Sequence, residues 1–246
     1  MLEQARQHFA DFTMRTNRYL QSEPFSAVTK EVRVDTHEDV FKVDVKVIPY
    51  EISRAASDCI RDLRAALDQA ACESAIAGGQ RGKDCAFPFG DTLADVRSCI
   101  ESGSKELDPR IFSVMESSGP HRGGDDLLWA LDKMCGRNAY RLLIPVALAP
   151  IKNESEKVSV KSDHPSSVFL FPQYDRQRNE FIMAKFATGS AYEMHYKTHV
   201  RWSLSFDEIE ILAEMEATEI LRTLVSRIEA IISAIEAEGL RIGLFH

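Results

Sequence analysis

The chain lacks the long apolar run that a membrane-spanning helix needs. Such a helix takes about 20 consecutive apolar residues, and no segment of the 246 residues approaches that length. The first residues, MLEQARQHFADF, contain acidic side chains and no continuous apolar stretch, which is typical of neither a secretion signal nor a transit peptide. The sequence therefore predicts a cytoplasmic protein that makes no membrane contact.

The cysteines also lack a recognisable pattern. Their number is odd, they are dispersed along the chain, and no two of them form a CxxC pair. Without a secretion signal, this usage favours reduced and mostly buried thiols over a disulfide framework or a metal site. The five are Cys59, Cys72, Cys85, Cys99 and Cys135.

Basic residues are outnumbered by acidic ones. The formal net charge is -8, from 30 Lys and Arg against 38 Asp and Glu. Proteins that collect nucleic acid or anionic membrane usually present a basic face. We therefore do not expect nucleic acid as a partner, although a local basic patch is compatible with this total.

No complete catalytic or metal-binding motif is present. The chain contains no G-x-S-x-G, no P-loop and no G-x-G-x-x-G. His195 and His199 have the spacing of a helical zinc pair, but they lie in the strand-like run MHYKTHVRW. On a strand they are roughly 13 Å apart, too far to share one metal ion. The sequence predicts neither a metal nor a cofactor.

Periodic apolar residues predict helices in the first half of the chain and at its end. One helix covers residues 2–21 and ends before Pro24; a second runs from about Pro49 to Ala77 and stops before Gly78. Three shorter helices follow Asp91, Asp108 and Asp125, the last closing at Gly136. A long amphipathic helix comes near the C-terminus, where Ser205 and Glu208 fit a capping box and a later start is the alternative.

Alternating apolar and polar residues predict strands elsewhere. KEVRVDTHEDVFKVDVKV, residues 30–47, reads as a β-hairpin. Five further strand-like runs lie between residues 140 and 206, with Pro145, Pro150 and Pro172 marking edges or bulges. Since a hairpin is unstable alone, we expect it to join the later strands.

These elements predict the α+β class, with one antiparallel sheet of about six to seven strands packed against long amphipathic helices. No linker or repeat divides the chain, so we interpret 1–246 as a single domain. Its parts in chain order are a helix and hairpin (1–48), a helical part (49–137), the sheet (138–206), and a C-terminal helix with its tail (207–246).

A group of charged residues lies beside the apolar stripe of the second helix. Arg64 and Asp68 are one turn apart, and Arg61 precedes them on the same side. One interpretation is an Arg–Asp pair that ties this helix to the next element. The other is a site in which Arg64 joins Arg137 or Arg141 around an anionic ligand, since an arginine fork suits carboxylate or phosphate. The binding candidates are Arg61, Arg64, Asp68, Arg137 and Arg141.

The order of elements resembles an uncharacterised family of prokaryotic and phage proteins of similar length. The resemblance rests on LRAALD (63–68), FPF (87–89), LLWAL (127–131) and YRLLIPV (140–146). The family pattern is similar to L-R-[SA]-A-L-D-H, then F-P, then a helix leading to D-K-H-R. Here Gln69 replaces the first histidine, and NAYR replaces the later motif, so both histidines are absent. No established activity comes with this resemblance.

RAALDQ, residues 64–69, also resembles the Arg-to-His motif of HEPN-type ribonucleases, which are all-helical and pair two such motifs across a dimer. That resemblance implies cleavage of RNA. Gln69 cannot exchange a proton near neutral pH, so the acid/base group is missing. The large β portion also departs from an all-helical domain.

Two functional hypotheses follow. The first is a non-catalytic cytosolic protein that binds a protein partner or a small anionic ligand and forms a homodimer. The small residues Ala56, Ala66 and Ala70, the long last helix and the apolar tail 240–246 would supply the dimer surface. The alternative is a HEPN-like ribonuclease or another phosphate-handling enzyme that uses the Arg/Asp group.

Overall fold

The computed structural model covers most of the chain. For residues 148, 157–162, 166–172, 192–197 and 210 the structure describes the backbone. The described ranges are 1–83, 85–135, 142–148, 157–162, 166–189, 192–197, 201–206, 209–212 and 215–245. The predicted helix end at Gly136, together with Pro150 and Glu208, lies outside them.

Six α-helices lie within the described ranges, and each corresponds to a predicted one. None of these helices is long and apolar enough to cross a membrane. Their bounds are α1 Leu2–Gln21, α2 Tyr50–Ala77, α3 Leu93–Ser98, α4 Pro109–Ser117, α5 Asp126–Cys135 and α6 Ala217–Arg241.

Helix α2 is the centre of the helical layer. It begins after Pro49, whose fixed φ suits a helix start, and ends at Gly78. Its predicted apolar stripe is buried against α1, α5 and α6. Ala56 and Ala66 are buried inside the chain, so small side chains here let neighbouring helices approach α2 closely.

The strands form an antiparallel arrangement that differs from the predicted single sheet. Their bounds are β1 Thr29–Arg33, β2 Glu38–Asp44, β3 Leu143–Leu148, β4 Lys157–Ser162, β5 Ser166–Asp175, β6 Glu180–Ala187, β7 Tyr192–Lys197 and β8 Arg201–Phe206. Among the described residues, one sheet has four strands in the order β1-β2-β6-β5, and β3–β8 and β4–β7 form separate pairs. The α+β class is confirmed, whereas the single sheet of six to seven strands is wrong.

Two of the predicted prolines lie within strands. The β5–β6 register breaks between Val168 and Gln173, beside Pro172, as predicted for a bulge. Pro145 lies within β3 and has no N–H to donate to a second neighbour. The hairpin β1–β2 does join a later strand, since β2 pairs with β6.

Two apolar clusters hold these layers together. The larger lies among the helices and takes in Leu143 of β3 and Phe206 of β8. The smaller covers one face of the four-stranded sheet, where Trp202 packs against Phe181 and stacks on Phe25 at 4.6 Å between ring centres.

The predicted capping box is wrong. Ser205 lies in β8, where its hydroxyl donates to the carbonyl oxygen of Leu212 at 3.1 Å. Helix α6 begins later, at Ala217, and has no side-chain cap. The later start that the sequence left open is therefore correct.

The apolar tail folds back onto α6 and α2. The amide of Leu244 donates to the carbonyl oxygen of Gly239 at 2.8 Å. The ring of Phe245 occupies the space that any side chain at position 239 would need, and Leu244 packs against Gly78. Ile242 and Leu244 are partly buried against the core, whereas Leu240 is 54% exposed.

Gly90 follows the Phe87–Phe89 segment and offers a test of this packing. A Cβ added there would lie 2.6 Å from the Cβ of Asp95 and 2.8 Å from the amide nitrogen of Val96 in α3. Since backbone cannot move away cheaply, we expect Gly90→Ala to lower the free energy of unfolding by about 1–3 kcal/mol. Urea denaturation measures it.

The matched control is Gly103→Ala, because the nearest atom to its added Cβ is 3.9 Å away. That variant is expected to keep the parent's urea midpoint. Equal midpoints for the two variants would contradict the close contact between Gly90 and α3.

Candidate functional site

The Arg64 cluster, which we define as Arg64, Asp68, Phe89 and Asp132, lies between α2 and α5. Arg64 and Asp68 are one turn apart on α2, beside its buried stripe. Asp132 comes from α5, and Phe89 from the loop after α2. The Arg64 side chain is 18% exposed, so its neighbours enclose most of it.

The guanidinium of Arg64 contacts all three other members of the cluster. Its Nη1 donates to Asp68 Oδ1, and its Nε lies 3.3 Å from Asp132 Oδ1. Its Cζ stands 4.1 Å from the centre of the Phe89 ring, a cation–π distance. One side chain therefore connects two helices and a loop.

Asp68 also contacts the same loop directly. Its Oδ1 also accepts a hydrogen bond from the backbone N–H of Phe87 at 2.9 Å. The Arg–Asp pair that the sequence predicted is thus present, and its backbone contact is the amide of Phe87.

A disulfide fixes the start of the loop. Cys72, one turn beyond Asp68 on α2, is bonded to Cys85, with 4.9 Å between their Cα atoms. The prediction of reduced thiols is wrong for this pair. The spacing of these two cysteines matches no known motif, and they meet only because the chain folds. Cys59, Cys99 and Cys135 are free thiols.

Charge within the Arg64 cluster does not favour an anionic ligand. One guanidinium faces two carboxylates, so the formal charge of the cluster is negative. A phosphate or carboxylate would have to displace an aspartate that already holds the arginine. The arrangement fits a structural connection better than an open arginine fork.

Of the remaining predicted residues, Arg61 is described, and it lies outside the Arg64 cluster. The side chain of Arg61 is 57% exposed, and its Nη2 donates to Ser57 Oγ at 2.9 Å, one turn earlier on α2. Arg137 and Arg141 lie outside the described residues, and so do His199 and the NAYR segment. The predicted convergence of Arg64 with Arg141 therefore stays a prediction.

Sequence reasoning missed Asp132 as a member of the cluster. Asp132 is a charged residue beside the apolar stripe of α5, the same signal that drew attention to Asp68. Nothing in the local pattern shows that two such residues on different helices face one arginine, because that depends on how the helices pack.

A second titratable pair was also missed. His8 Nδ1 lies 2.9 Å from Asp62 Oδ2, so the pair joins α1 to α2. The His8 side chain is 41% exposed. The fully buried Cys59 lies near Asp62, and burial, with a smaller contribution from that carboxylate, raises the pKa of its thiol to about 12. Cys59 is therefore a protonated core residue at neutral pH.

Cys135 lies one turn after Asp132 and within electrostatic reach of the Arg64 cluster. Burial is the main cause that raises the pKa of its thiol, and Asp132 and Asp68 add to the effect. Arg64 and Arg61 act in the opposite direction but do not prevail. Over the ranges that the structure describes, no group of three or more His, Cys, Asp or Glu could hold a metal ion.

Comparison of this chain with protein-family models, with curated proteins and with solved structures finds no match.

Replacing Arg64 tests whether the cluster supports the fold. We expect Arg64→Ala to lower the free energy of unfolding by about 1–3 kcal/mol, because two carboxylates lose their shared cation and Phe89 loses a contact. Arg61→Ala removes an exposed guanidinium of the same helix and should leave the urea midpoint unchanged. Unchanged midpoints in both variants would show that Arg64 is free for a role other than structure.

The Cys72–Cys85 disulfide gives a second measurable effect. The two residues are 13 positions apart, and closing a loop of this size stabilises a fold by about 3 kcal/mol in the chain-entropy model. We expect dithiothreitol to lower the urea midpoint of the parent protein accordingly. The double variant Cys72→Ser/Cys85→Ser should have that lower midpoint with or without reductant; a parent insensitive to dithiothreitol would refute the effect.

Proposed function

We propose that this protein acts by binding rather than by catalysis. The supporting observation is the engagement of Arg64 by Asp68, Asp132 and the Phe89 ring. An arginine held in this way stabilises the packing of α2 against α5, and its charge is already neutralised. Arg64 and Asp68, in the most regularly patterned segment of the sequence, then have a structural role. Surfaces elsewhere on the protein carry out the function.

The partners that fit this role are a protein, a second copy of the chain, or a small anionic ligand. For the anionic ligand, Arg61 is the predicted arginine whose guanidinium faces solvent in the described part of the chain. A ligand there would reach Arg61 without breaking the Arg64 cluster. The negative net charge argues against RNA or DNA in this role.

We place the protein in the cytosol, as its composition predicts. The disulfide between Cys72 and Cys85 argues against a fully reducing compartment, since cytosolic proteins rarely keep such bonds. Alkylation of the protein immediately after cell lysis measures how many of its thiols are free in the cell. Five free thiols agree with the cytosolic assignment, and three argue for an oxidising compartment.

The alternative function, a HEPN-like ribonuclease or another phosphate-handling enzyme, has one observation in its favour. The partly exposed His8 is oriented by Asp62, an arrangement that lets a histidine exchange protons. Asp62 follows Arg61 directly in α2. Against this role, Gln69 is exposed and hydrogen-bonds to Glu73 at 2.8 Å instead of facing the Arg64 cluster.

An assay for RNA cleavage separates the two functions. We expect no cleavage of labelled single-stranded RNA, with or without Mg²⁺. Metal-independent cleavage needs one group to remove the 2′-hydroxyl proton and another to protonate the leaving oxygen, each contributing roughly 10²–10⁴ in rate.

Two variants make the assay decisive if the parent preparation does cleave. Cleavage that is lost in His8→Ala and in Arg61→Ala would overturn the binding proposal and establish an enzyme with these residues in its site. Cleavage that both variants keep at the parent's rate would show that it depends on neither His8 nor Arg61. Arg64→Ala is a poor probe here, since its expected loss of stability would lower any activity.

A further inference from the structure

An open cavity lies where α1 ends and the chain turns toward the sheet. Its volume is about 330 Å³, at the low end of the range for ligand sites, so it suits a small molecule. We call it the Glu23 cavity, because Glu23 is the charged residue among those described as lining it. The other lining residues are Leu20, Pro24, Phe25, Ser26 and Trp202.

Two aromatic rings line the Glu23 cavity together with this carboxylate. Phe25 and Trp202 stack on each other, with 4.6 Å between ring centres and 15° between ring planes. Both rings have fixed positions, since the backbone of Phe25 pairs with Val45 and Trp202 belongs to β8. Aromatic rings attract a cation through their π electrons and also pack against its apolar groups.

The backbone of Glu23 has a conformation that is unusual for its residue type. Its φ is +49°, in the left-handed region. The other non-glycine residues with positive φ in the described ranges are His37 and Asn179, whose types adopt this region more often. Glu23 directly follows Ser22, the C-cap of α1, where helices commonly place glycine. Glutamate at this position therefore costs stability that glycine would not.

The charge of Glu23 is also unfavourable at this end of α1. The C-terminal carbonyl groups of a helix carry partial negative charge and repel a carboxylate. Within the described ranges, no cation lies within ion-pair distance of the Glu23 carboxylate. Lys46 is close by, but its Nζ donates to the carbonyl oxygen of Ser22 at 3.0 Å. Residues kept in such unfavourable states are concentrated at binding sites, so the side chain of Glu23 points to a ligand.

We propose that the Glu23 cavity binds a small alkylated ammonium ion. The carboxylate of Glu23 neutralises the charge of the ligand, while the rings of Phe25 and Trp202 contact its alkyl groups and attract its charge. The positive ligand also offsets the negative end of α1, so binding reduces the repulsion between that end and Glu23. The net charge of -8 draws cations toward the protein.

This site goes beyond the anionic ligand proposed for Arg61. The two ligands have opposite charges, and Arg61 does not line the Glu23 cavity. Loss of either site therefore leaves the other intact.

Titration with choline chloride tests the proposal, because choline is a quaternary ammonium ion of the required class. The chain has two tryptophans, so a Trp129→Phe parent keeps Trp202 as the only fluorescent indole, in the cavity itself. We expect a saturable change in its fluorescence, with half-saturation at roughly millimolar choline, as suits so small a ligand. Sodium chloride at equal concentrations corrects for ionic strength.

A neutral counterpart of choline tests the role of the charge. In this alcohol a carbon atom replaces the quaternary nitrogen, so the shape is kept and the charge is lost. We expect it to bind at least about tenfold more weakly than choline, because neither the carboxylate nor the rings then attract a cation.

Two changes at Glu23 separate binding from folding. Glu23→Gln keeps the side-chain shape without the charge, and we expect it to lower the affinity for choline at least about tenfold. Glu23→Gly should lower the affinity as much, yet its urea midpoint should equal or exceed that of the parent, because glycine adopts positive φ without strain. The matched control is Glu236→Gln, at an exposed residue of α6 that does not line the cavity, and it should bind choline as the parent does.

Four results would overturn the proposal. They are fluorescence that does not saturate with choline, equal affinities for choline and its neutral counterpart, equal affinities of Glu23→Gln and Glu236→Gln, and a Glu23→Gly midpoint below the parent's. The last result would show that Glu23 supports the fold instead of a ligand.

Discussion

The packing of this protein depends on one side chain that connects elements distant in sequence. Arg64 lies beside the apolar stripe of α2 and contacts Asp132 of α5 and Phe89 of the intervening loop. Asp68 accepts hydrogen bonds from both Arg64 and the backbone N–H of Phe87. A charge so enclosed is stable only if opposite charges surround it. The cluster therefore fixes where α5 and the loop lie relative to α2, and the disulfide at Cys85 fixes where the loop begins.

That constraint also limits the chemistry available. An arginine that already has two carboxylate partners offers little to a phosphate, and the thiol of Cys135 nearby has a pKa raised by burial. Outside this cluster, the partly exposed His8 of α1 pairs with Asp62 of α2. This distribution of charge is the basis of our proposal that the protein acts by binding.

The sheet follows a different principle from the helical layer. Its outer strand is anchored by the ion pairs of Arg33 and Lys42 on one face and by the pairing of Lys30 with Asp39 on the other. Because a buried charge is stable only beside opposite charges, these ion pairs hold β1 in place against β2 and β6.

The helices and strands could be predicted from local patterns, because the 3.6-residue and two-residue periods are properties of the chain itself. The bounds of α1 and α2, the N-terminus of α4 at Asp108 and the hairpin β1–β2 follow from such patterns. The pairing of Arg64 with Asp68 also follows, since residues four apart on a helix are neighbours. Asp132, the Cys72–Cys85 bond, the division of the strands and the return of the tail onto Gly239 do not, because each depends on segments that meet only after the layers pack. The sequence by itself determined which elements form and which faces they bury; the tertiary structure decided which charges meet and which strands pair, because those contacts join residues that no local period relates.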